Sequence, residues 1–230
     1  MMLSGVRAAI IDLDGTMLDT IPDFHIAINQ MRTGLDLAPI SAQHIKQLVG
    51  RGSEDLIRSV LAIDFDRANV DARFDAALAS YQRHYLRING NFSTLYPDVI
   101  AGLDAMKASG LRLACVTNKP IAFAIPLLKQ KGLDAYFEII YGGDSLSKKK
   151  PDPLPLLQVC SDFDLAPRQV VAIGDSSNDA MAARAAGCPV LTVPYGYNHG
   201  HSIQGIDSDG IVVTLLAAAH LISRHNQAAN

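Results

Sequence analysis

The sequence predicts an α/β fold, in which helices cover both faces of a parallel sheet and an all-helical segment is inserted after the first strand. Two observations support this prediction. Short apolar runs alternate with helical stretches from residue 94 onward, and this alternation is typical of a parallel sheet. Residues 20–85 differ, because their apolar positions repeat at helical spacing without a convincing buried strand.

Each predicted core strand is a short apolar run. The first begins at Arg7 and stops abruptly at Asp12, as expected for a buried parallel strand that ends in a loop. The other strands are predicted at residues 111–117, 137–141, 170–173 and 190–193. Ligands of open α/β sheets bind beyond the carboxyl ends of the strands, so these loops are the candidates for chemistry.

Helices are predicted between the strands. One should start near Val99 and end at a cap on Gly110, and a helix of small residues should occupy residues 180–186. Pro126 should start or kink the helix that leads to residue 131, because proline lacks the backbone N–H of a helix interior.

The inserted segment contains three groups of apolar residues at helical spacing. They are Ile45, Leu48 and Val49, then Leu56, Ile57 and Val60, then Phe74, Leu78 and Tyr81. We therefore predict an α/β domain made of residues 1–17 and 90–230, and a helical domain made of residues 18–89.

Composition excludes several classes of function. The chain has 230 residues, of which 49% are hydrophobic and 19% charged, and its net charge is −3. This balance is ordinary for a globular enzyme and argues against nucleic acid or an anionic membrane as a partner. No apolar run approaches the roughly 20 residues of a membrane helix, and the first seven residues do not read as a signal peptide.

The cysteines indicate a reducing compartment. Cys115, Cys160 and Cys188 are far apart and form no CxxC or Cys/His cluster, so neither a disulfide framework nor a zinc site is predicted. Reduced thiols are typical of the cytoplasm, where we expect the protein to act.

The first candidate site follows the first strand, where the sequence reads DLDGT. Asp12 and Asp14 can both face one site if the chain turns there, and Gly15 permits that turn. Two carboxylates so close repel each other, so a cation is expected between them unless one is protonated. An acidic surface loop is the alternative interpretation of this motif.

Two further segments offer groups for a phosphate. Thr117 can donate its hydroxyl and Asn118 its amide to a phosphate oxygen, although Thr-Asn at a strand end is often only a cap or turn. Lys150 stands out in a run of lysines because Pro151 and Pro153 stiffen the chain beside it. A fixed ammonium there can neutralise a phosphate next to carboxylates.

The last candidate site is the loop GDSSND after the strand at residues 170–173. Asp175 is a natural ligand for magnesium, which prefers hard oxygen donors. Asp179 stands at the start of a helix, where it either supports the metal site or only caps free N–H groups.

These four segments, in this order, resemble the motifs of the haloacid dehalogenase superfamily, and the helical insertion lies where that family has its smaller type of cap. Within the superfamily the chain is similar to bacterial phosphoglycolate phosphatases. The segments that carry this resemblance are DLDGTMLDTIPD (residues 12–23), TNKP (117–120), KKPDPLPLL (149–157), GDSSNDAMAARAAG (174–187) and PYGYNHG (194–200).

The resemblance implies a Rossmann-like core and a role for each motif. Asp12 would be the nucleophile that forms a phosphoaspartate, and Asp14 the general acid and then the general base. Thr117 and Lys150 would hold the phosphoryl oxygens. Asp12, the backbone carbonyl of Asp14, and Asp175 would ligate Mg²⁺. The expected partner is a small phosphorylated metabolite, with the enzyme a monomer or a homodimer.

Substrate choice is expected to depend on the cap. The loop Val49-Gly50-Arg51-Gly52-Ser53 resembles the family's cap loop over the active site. Arg51, beside Gly52, would meet the carboxylate of 2-phosphoglycolate. The alternative is that Arg51 is only an exposed residue at a helix start.

Other functions on the same fold are less well supported. A β-phosphoglucomutase-like enzyme would carry a histidine at the position of Phe24, whereas His25 lies one residue later. A phosphonatase needs a Schiff-base lysine in the cap, and only Lys46 is available there. Asp14 argues against a dehalogenase, which needs no second acid. A non-catalytic binding protein would have no need for intact motifs.

Overall fold

The structure, a computed structural model, describes residues 3–228. Its helices and strands follow in the order β1 (Ala8–Ile11), β2 (Leu18–Asp19), α1 (Ile21–Thr33), α2 (Ala42–Leu48), α3 (Ser53–Leu61), α4 (Arg67–Ile88), β3 (Thr94–Leu95), α5 (Val99–Ala108), β4 (Arg112–Val116), α6 (Ile121–Gln130), β5 (Ile139–Tyr141), α7 (Leu154–Asp162), β6 (Val170–Gly174), α8 (Ser177–Ala186), β7 (Val190–Thr192), β8 (Gly210–Ile211) and α9 (Leu215–Ala228).

The predicted α/β fold is confirmed. The described residues form a six-stranded sheet in the order β5-β4-β1-β6-β7-β8, in which all neighbouring strands are parallel. β1 is central and completely buried. Alternate residues of β1 enter different hydrophobic clusters, as strand geometry requires: Ala9 and Ile11 face α5, α6 and α9, whereas Ala8 and Ile10 face α7 and α8.

The predicted strand positions are confirmed, but three strands of two residues each, β2, β3 and β8, were missed. β8 has two residues and lies at the edge of the sheet, with Ile211 exposed. So short a strand has no apolar run for a sequence pattern to detect.

The helices after β3 follow the prediction with one correction. α5 and α8 begin and end close to the predicted positions. Pro126 does not start α6, because this helix begins five residues earlier, at Ile121. Pro120 ends the extended segment there, and burial of Phe123, Leu127 and Leu128 stabilises the helix on both sides of Pro126.

α1 to α4 make up the helical insertion, as predicted. They pack around their own hydrophobic cluster, which includes Ile45, Ile57, Val60 and Tyr85. Among the described residues, no helix is both long and apolar enough to cross a bilayer.

The chain passes between the sheet and the insertion twice, and these two crossings are joined. β2 and β3 pair antiparallel beside them. Asp23, fully buried near the start of α1, accepts hydrogen bonds from the backbone N–H groups of Gly90 and Phe92 at 2.8 and 2.9 Å and from the hydroxyl of Ser93. The division of the chain into two domains at residues 17–18 and 89–90 stays a prediction.

Candidate active site

A small cavity lies between the carboxyl ends of the central strands and the helical insertion. Its volume is about 40 Å³, and since a buried water needs roughly 10–15 Å³ by this measure, about three would fit. Its walls include most of the predicted site residues: Asp12, Asp14, Gly52, Thr117, Asn118, Lys150 and Asp175. Arg51 is the one predicted residue that does not line it.

Asp12, directly after β1, is paired with a buried ammonium. Lys150 Nζ lies 2.7 Å from Asp12 Oδ1, 2.6 Å from Asp179 Oδ1 and 2.6 Å from the carbonyl oxygen of Val116. These three acceptors match the three N–H donors of a lysine ammonium. Lys150, whose backbone was predicted to be stiffened by the neighbouring prolines, therefore has its charge between two carboxylates.

The charges of this cluster are set by burial. Burial raises the pKa of Asp12 to about 7, against the opposing effect of Lys150, and the neighbouring Asp179 raises it further. Burial disfavours the charge on Lys150, but Asp12 and Asp179 outweigh that effect and raise the pKa of its ammonium. The two carboxylates thus favour the charged form of Lys150, whereas burial favours the protonated form of Asp12.

Asp175, directly after β6, is the third acidic group of the site. Thr16 Oγ1 donates to its Oδ1 at 3.2 Å, and the backbone N–H of Tyr197 donates to Oδ2. Burial, together with Asp179 and Asp12, raises its pKa. A Cβ on Gly15 or Gly196 would lie 2.4 or 2.1 Å from Oδ2, so both glycines are needed for this position of the carboxylate.

These carboxylates fit a hard cation. Oxygen atoms of Asp12, Asp175 and Asp179 lie within 4.8 Å of one another, and clustered oxygen donors without sulfur or imidazole suit Mg²⁺. Asp179 caps a helix, which is one of its two predicted roles, and it also contacts Lys150 within the acidic cluster. Its Oδ2 accepts from the backbone N–H and the hydroxyl of Ser176 and so caps α8, whereas its Oδ1 pairs with Lys150.

Asp14 has a different environment from Asp12. Lys119 Nζ lies 2.8 and 3.2 Å from its two carboxylate oxygens, and the hydroxyl of Thr20 donates to Oδ1 at 2.7 Å. The sequence suggested one cation shared between the two aspartates. In the structure each has its own ammonium, Lys150 for Asp12 and Lys119 for Asp14, so their mutual repulsion is offset twice.

The loop after β4 holds Thr117 and Asn118 against the cavity. The Thr117 hydroxyl accepts from the backbone N–H of Lys119 at 3.2 Å, and its own hydrogen remains available to a phosphoryl oxygen. The side-chain amide of Asn118 donates to the carbonyl oxygens of Lys150 and Gly50, at 2.8 and 3.0 Å. Phosphate binding by this amide stays a prediction and would replace one of these bonds.

The glycines of the cap loop contact the loops at the edge of the sheet. Gly50 O accepts from the side chains of Asn118 and Asn178, at 3.0 and 3.2 Å. Gly52 lines the cavity, and a Cβ there would lie 3.1 Å from the Asn118 carbonyl oxygen. Arg51 is exposed and faces an outer groove instead. Its predicted contact with a substrate carboxylate stays a prediction that the structure does not favour.

Sequence patterns missed several residues of the site. Lys119 belongs to the quoted TNKP segment but was given no role, although it is buried and contacts Asp14. Tyr81 and Tyr85 of α4 also line the cavity. The signal for Lys119 was its place two residues after Thr117 at a strand end. Nothing in the sequence distinguishes the two tyrosines from ordinary core residues.

His25 and Lys46, the residues that the alternative functions would need, do not line the cavity. Phe24 lines it, whereas His25 is turned to the carbonyl oxygen of Ile40, 3.1 Å from its Nε2. Lys46 does not line it either, and its Nζ lies 5.4 Å from the centre of the Tyr197 ring. Within the described part of the chain, neither a histidine at the mutase position nor a lysine of the cap therefore lines the cavity.

Comparison with known proteins assigns this architecture to one family. A family model described as haloacid dehalogenase-like hydrolase matches residues 6–187. A relative from Thiobacillus denitrificans, named phosphoglycolate phosphatase, is 46% identical over 95% of this chain and 96% of its own length. A relative of the same name from Nitrosospira multiformis is 45% identical over the same shares.

Solved structures have the same fold. A crystal structure from Haemophilus somnus, described as a predicted phosphoglycolate phosphatase, superposes with a TM-score of 0.90 at 32% identity and covers 95% of this chain and 98% of its own. A haloacid dehalogenase-like family protein from Streptococcus pneumoniae, at 24% identity, superposes with a TM-score of 0.81 over 94% and 98% of the two chains.

Proposed function

Because the chain belongs to the haloacid dehalogenase-like hydrolases, we propose that it is a phosphatase that converts 2-phosphoglycolate to glycolate and phosphate. The observation that carries the proposal is the surroundings of Asp12. Its carboxylate faces a cavity, lies 2.7 Å from the buried ammonium of Lys150, and lies within 4.8 Å of Asp175. Phosphoryl transfer requires a nucleophile, a fixed positive charge and a carboxylate that binds a metal ion.

In the first step, an oxygen of Asp12 attacks phosphorus and forms a P–O bond while the bond from phosphorus to the ester oxygen breaks. Asp14 gives its proton to the leaving oxygen, which departs as the hydroxyl of glycolate. Lys150 and the hydroxyl of Thr117 hold the phosphoryl oxygens in line for this displacement.

In the second step, a water molecule attacks the phosphorus of the phosphoaspartate and the bond to Asp12 breaks. Asp14 takes the proton of that water and returns to its starting state. Asp12, Asp175 and the backbone carbonyl of Asp14 would hold Mg²⁺, which would supply positive charge to offset the negative charge of the phosphoryl group.

The choice of substrate rests on two supports. The relatives from Thiobacillus denitrificans and Nitrosospira multiformis are named phosphoglycolate phosphatase, and the cavity of about 40 Å³ suits a small ester. The positions of Phe24, His25 and Lys46 speak against a mutase or a phosphonatase. We further propose that the enzyme acts in the cytoplasm as a monomer or homodimer, in line with the free, buried state of its three cysteines.

The test is phosphate release from 2-phosphoglycolate, measured with Mg²⁺ and after exhaustive chelation, for the wild type and for Asp12→Asn. We expect turnover only for the wild type with Mg²⁺. Full activity after chelation would contradict the metal requirement. Turnover of Asp12→Asn near the wild-type rate would exclude Asp12 as the nucleophile.

A further inference from the structure

Among residues 3–228, two positively charged side chains line the cavity, Lys119 and Lys150, and they differ in what they already bind. All three N–H donors of Lys150 have acceptors, as described above. Lys119 Nζ has one partner among the described residues, the carboxylate of Asp14. An ammonium has three donors, so Lys119 can accept a second anion in a way that Lys150 cannot without releasing a partner.

The surroundings of Lys119 keep its charge in a fixed place. Its side chain is 2% exposed, and its Nζ lies 4.6 Å from the ring centre of Phe24 and 4.8 Å from that of Tyr85. Both rings face the ammonium at distances typical of cation–π contacts. The ammonium is therefore held at the cavity wall rather than extended into solvent.

Tyr85 adds a polar group that has no partner among the described residues. Its hydroxyl is buried and makes no hydrogen bond with any described residue, although the side chain lines the cavity. Its ring packs against Phe24 and Phe123, with ring centres 5.3 and 5.2 Å apart. A buried hydroxyl without an acceptor is unfavourable, and a ligand oxygen in the cavity removes that penalty.

The hydroxyl of Tyr81 is also buried without a hydrogen bond. The side chain of Ser53 lies beside the Tyr81 hydroxyl. This hydroxyl is therefore weaker evidence for a ligand than the hydroxyl of Tyr85. The Tyr81 and Tyr85 rings stack, with ring centres 5.4 Å apart, and this contact fixes both positions on α4.

On the basis of the proposed function, we propose that Lys119 and the hydroxyl of Tyr85 bind the carboxylate of the substrate. The phosphate end of the substrate is held by Lys150 and Thr117, and four aspartates line the same cavity. A second negative group on the substrate is repelled by those aspartates unless a cation receives it. Lys150 must exchange one of its three present acceptors for a phosphoryl oxygen, so Lys119 is the cation left to receive the carboxylate, whereas Arg51 lies outside the cavity.

This assignment links recognition of the carboxylate to the position of Asp14. A substrate carboxylate on Lys119 shares one ammonium with Asp14. Removal of the Lys119 charge therefore changes the surroundings of Asp14 with every substrate. It weakens carboxylate binding only with substrates that contain a carboxylate. The two effects are separated by the ratio of kcat/KM for two esters that differ in the carboxylate alone.

The test compares 2-phosphoglycolate with ethyl phosphate, in which a methyl group replaces the carboxylate. Lys119→Met keeps an unbranched side chain of similar length and removes the charge. A hydrogen bond to a charged group corresponds to roughly a 10- to 150-fold change. We expect Lys119→Met to lower the preference for 2-phosphoglycolate over ethyl phosphate by that factor, with an increase in KM for 2-phosphoglycolate.

Tyr85→Phe is the second variant, since it removes one unpartnered oxygen and preserves the ring packing. It should weaken 2-phosphoglycolate hydrolysis by about 10-fold and leave ethyl phosphate hydrolysis near the wild-type value. Arg51→Gln serves as the comparison at the exposed position. A selective loss in Arg51→Gln, with none in Lys119→Met, would transfer the carboxylate contact to Arg51 and overturn the proposal.

The remaining outcomes separate this inference from the proposed function. If the wild type prefers 2-phosphoglycolate and both Lys119→Met and Tyr85→Phe keep that preference, the subsite is refuted while the proposed substrate stands. If the wild type hydrolyses both esters equally well, the proposed substrate is refuted, and the carboxylate subsite with it.

Discussion

Replacing Lys150 by methionine should make the metal-free protein markedly less stable. Methionine has a similar length but no charge, so it leaves Asp12 and Asp179 buried side by side without the ammonium that lies 2.7 and 2.6 Å from them. The lysine side chain is 5% exposed and the two carboxylates are 10% and 7% exposed. Water can therefore do little to replace the lost contacts.

The size of the effect follows from this burial. Removing one partner of a buried ion pair typically costs about 3–5 kcal/mol, a large fraction of the roughly 5–15 kcal/mol that stabilises a folded domain. The cost should be larger at pH 8 than at pH 6. Burial already raises the pKa of Asp12 to about 7, so at the lower pH this carboxyl can bind a proton and lose its charge.

The assay is urea unfolding with a chelator present, at pH 6 and pH 8, followed by the same measurement with Mg²⁺. We expect the midpoint to fall by roughly 1 M or more at pH 8 and to recover in part with Mg²⁺, which binds only the folded cluster. Lys149→Met is the matched control. Lys149 is half-exposed and lies 3.9 Å from Asp55, so its loss should cost under about 1 kcal/mol.

An unchanged midpoint for Lys150→Met at pH 8 without metal would refute this reasoning. Equal losses in Lys150→Met and Lys149→Met would show that the number of lysines, rather than the buried position, determines stability.

Three further outcomes are expected. Asp14→Asn should slow turnover by about 10² to 10⁴-fold and accumulate phosphoenzyme on Asp12, which acid quenching and mass spectrometry would detect; unchanged turnover would remove Asp14 from the mechanism. Affinity for Mg²⁺ should fall by about tenfold per pH unit below pH 7, because the raised pKa of Asp12 lets protons compete with the metal; calorimetry that finds no pH dependence would contradict this. Gly196→Ala should weaken Mg²⁺ binding, because its Cβ would lie 2.1 Å from Asp175 Oδ2, whereas Gly205→Ala meets nothing within 4 Å and should bind normally.

The sequence was most informative where strands end. Asp12, Thr117 and Asp175 each follow a short apolar run, and in a parallel sheet the carboxyl ends of neighbouring strands lie at one edge. β4, β1 and β6 are such neighbours, so three local patterns were enough to predict one cavity. The helical insertion was equally accessible, because a repeat of apolar residues reports the buried face of a helix.

Contacts between distant segments could not be predicted in this way. Lys119 meets Asp14 across 105 residues of sequence, and no local pattern specifies which lysine in a strand-end loop turns inward. The substrate contact of Arg51 stays a prediction for a related reason. Its flanking glycines suggest a close approach of the loop, and the backbone at Gly50 and Gly52 makes such an approach while the Arg51 side chain faces outward.

The double crossing between sheet and insertion has a mechanical consequence. Two strands joined by backbone hydrogen bonds bend together more easily than they slide or twist past each other, and Asp23 ties the second crossing to the first turn of α1. The paired strands would therefore favour rotation of the four helices as one unit over independent movement of either crossing. Such a rotation would change the width of the cavity entrance and the height of its roof together, which would link the entry of substrate to the exclusion of water.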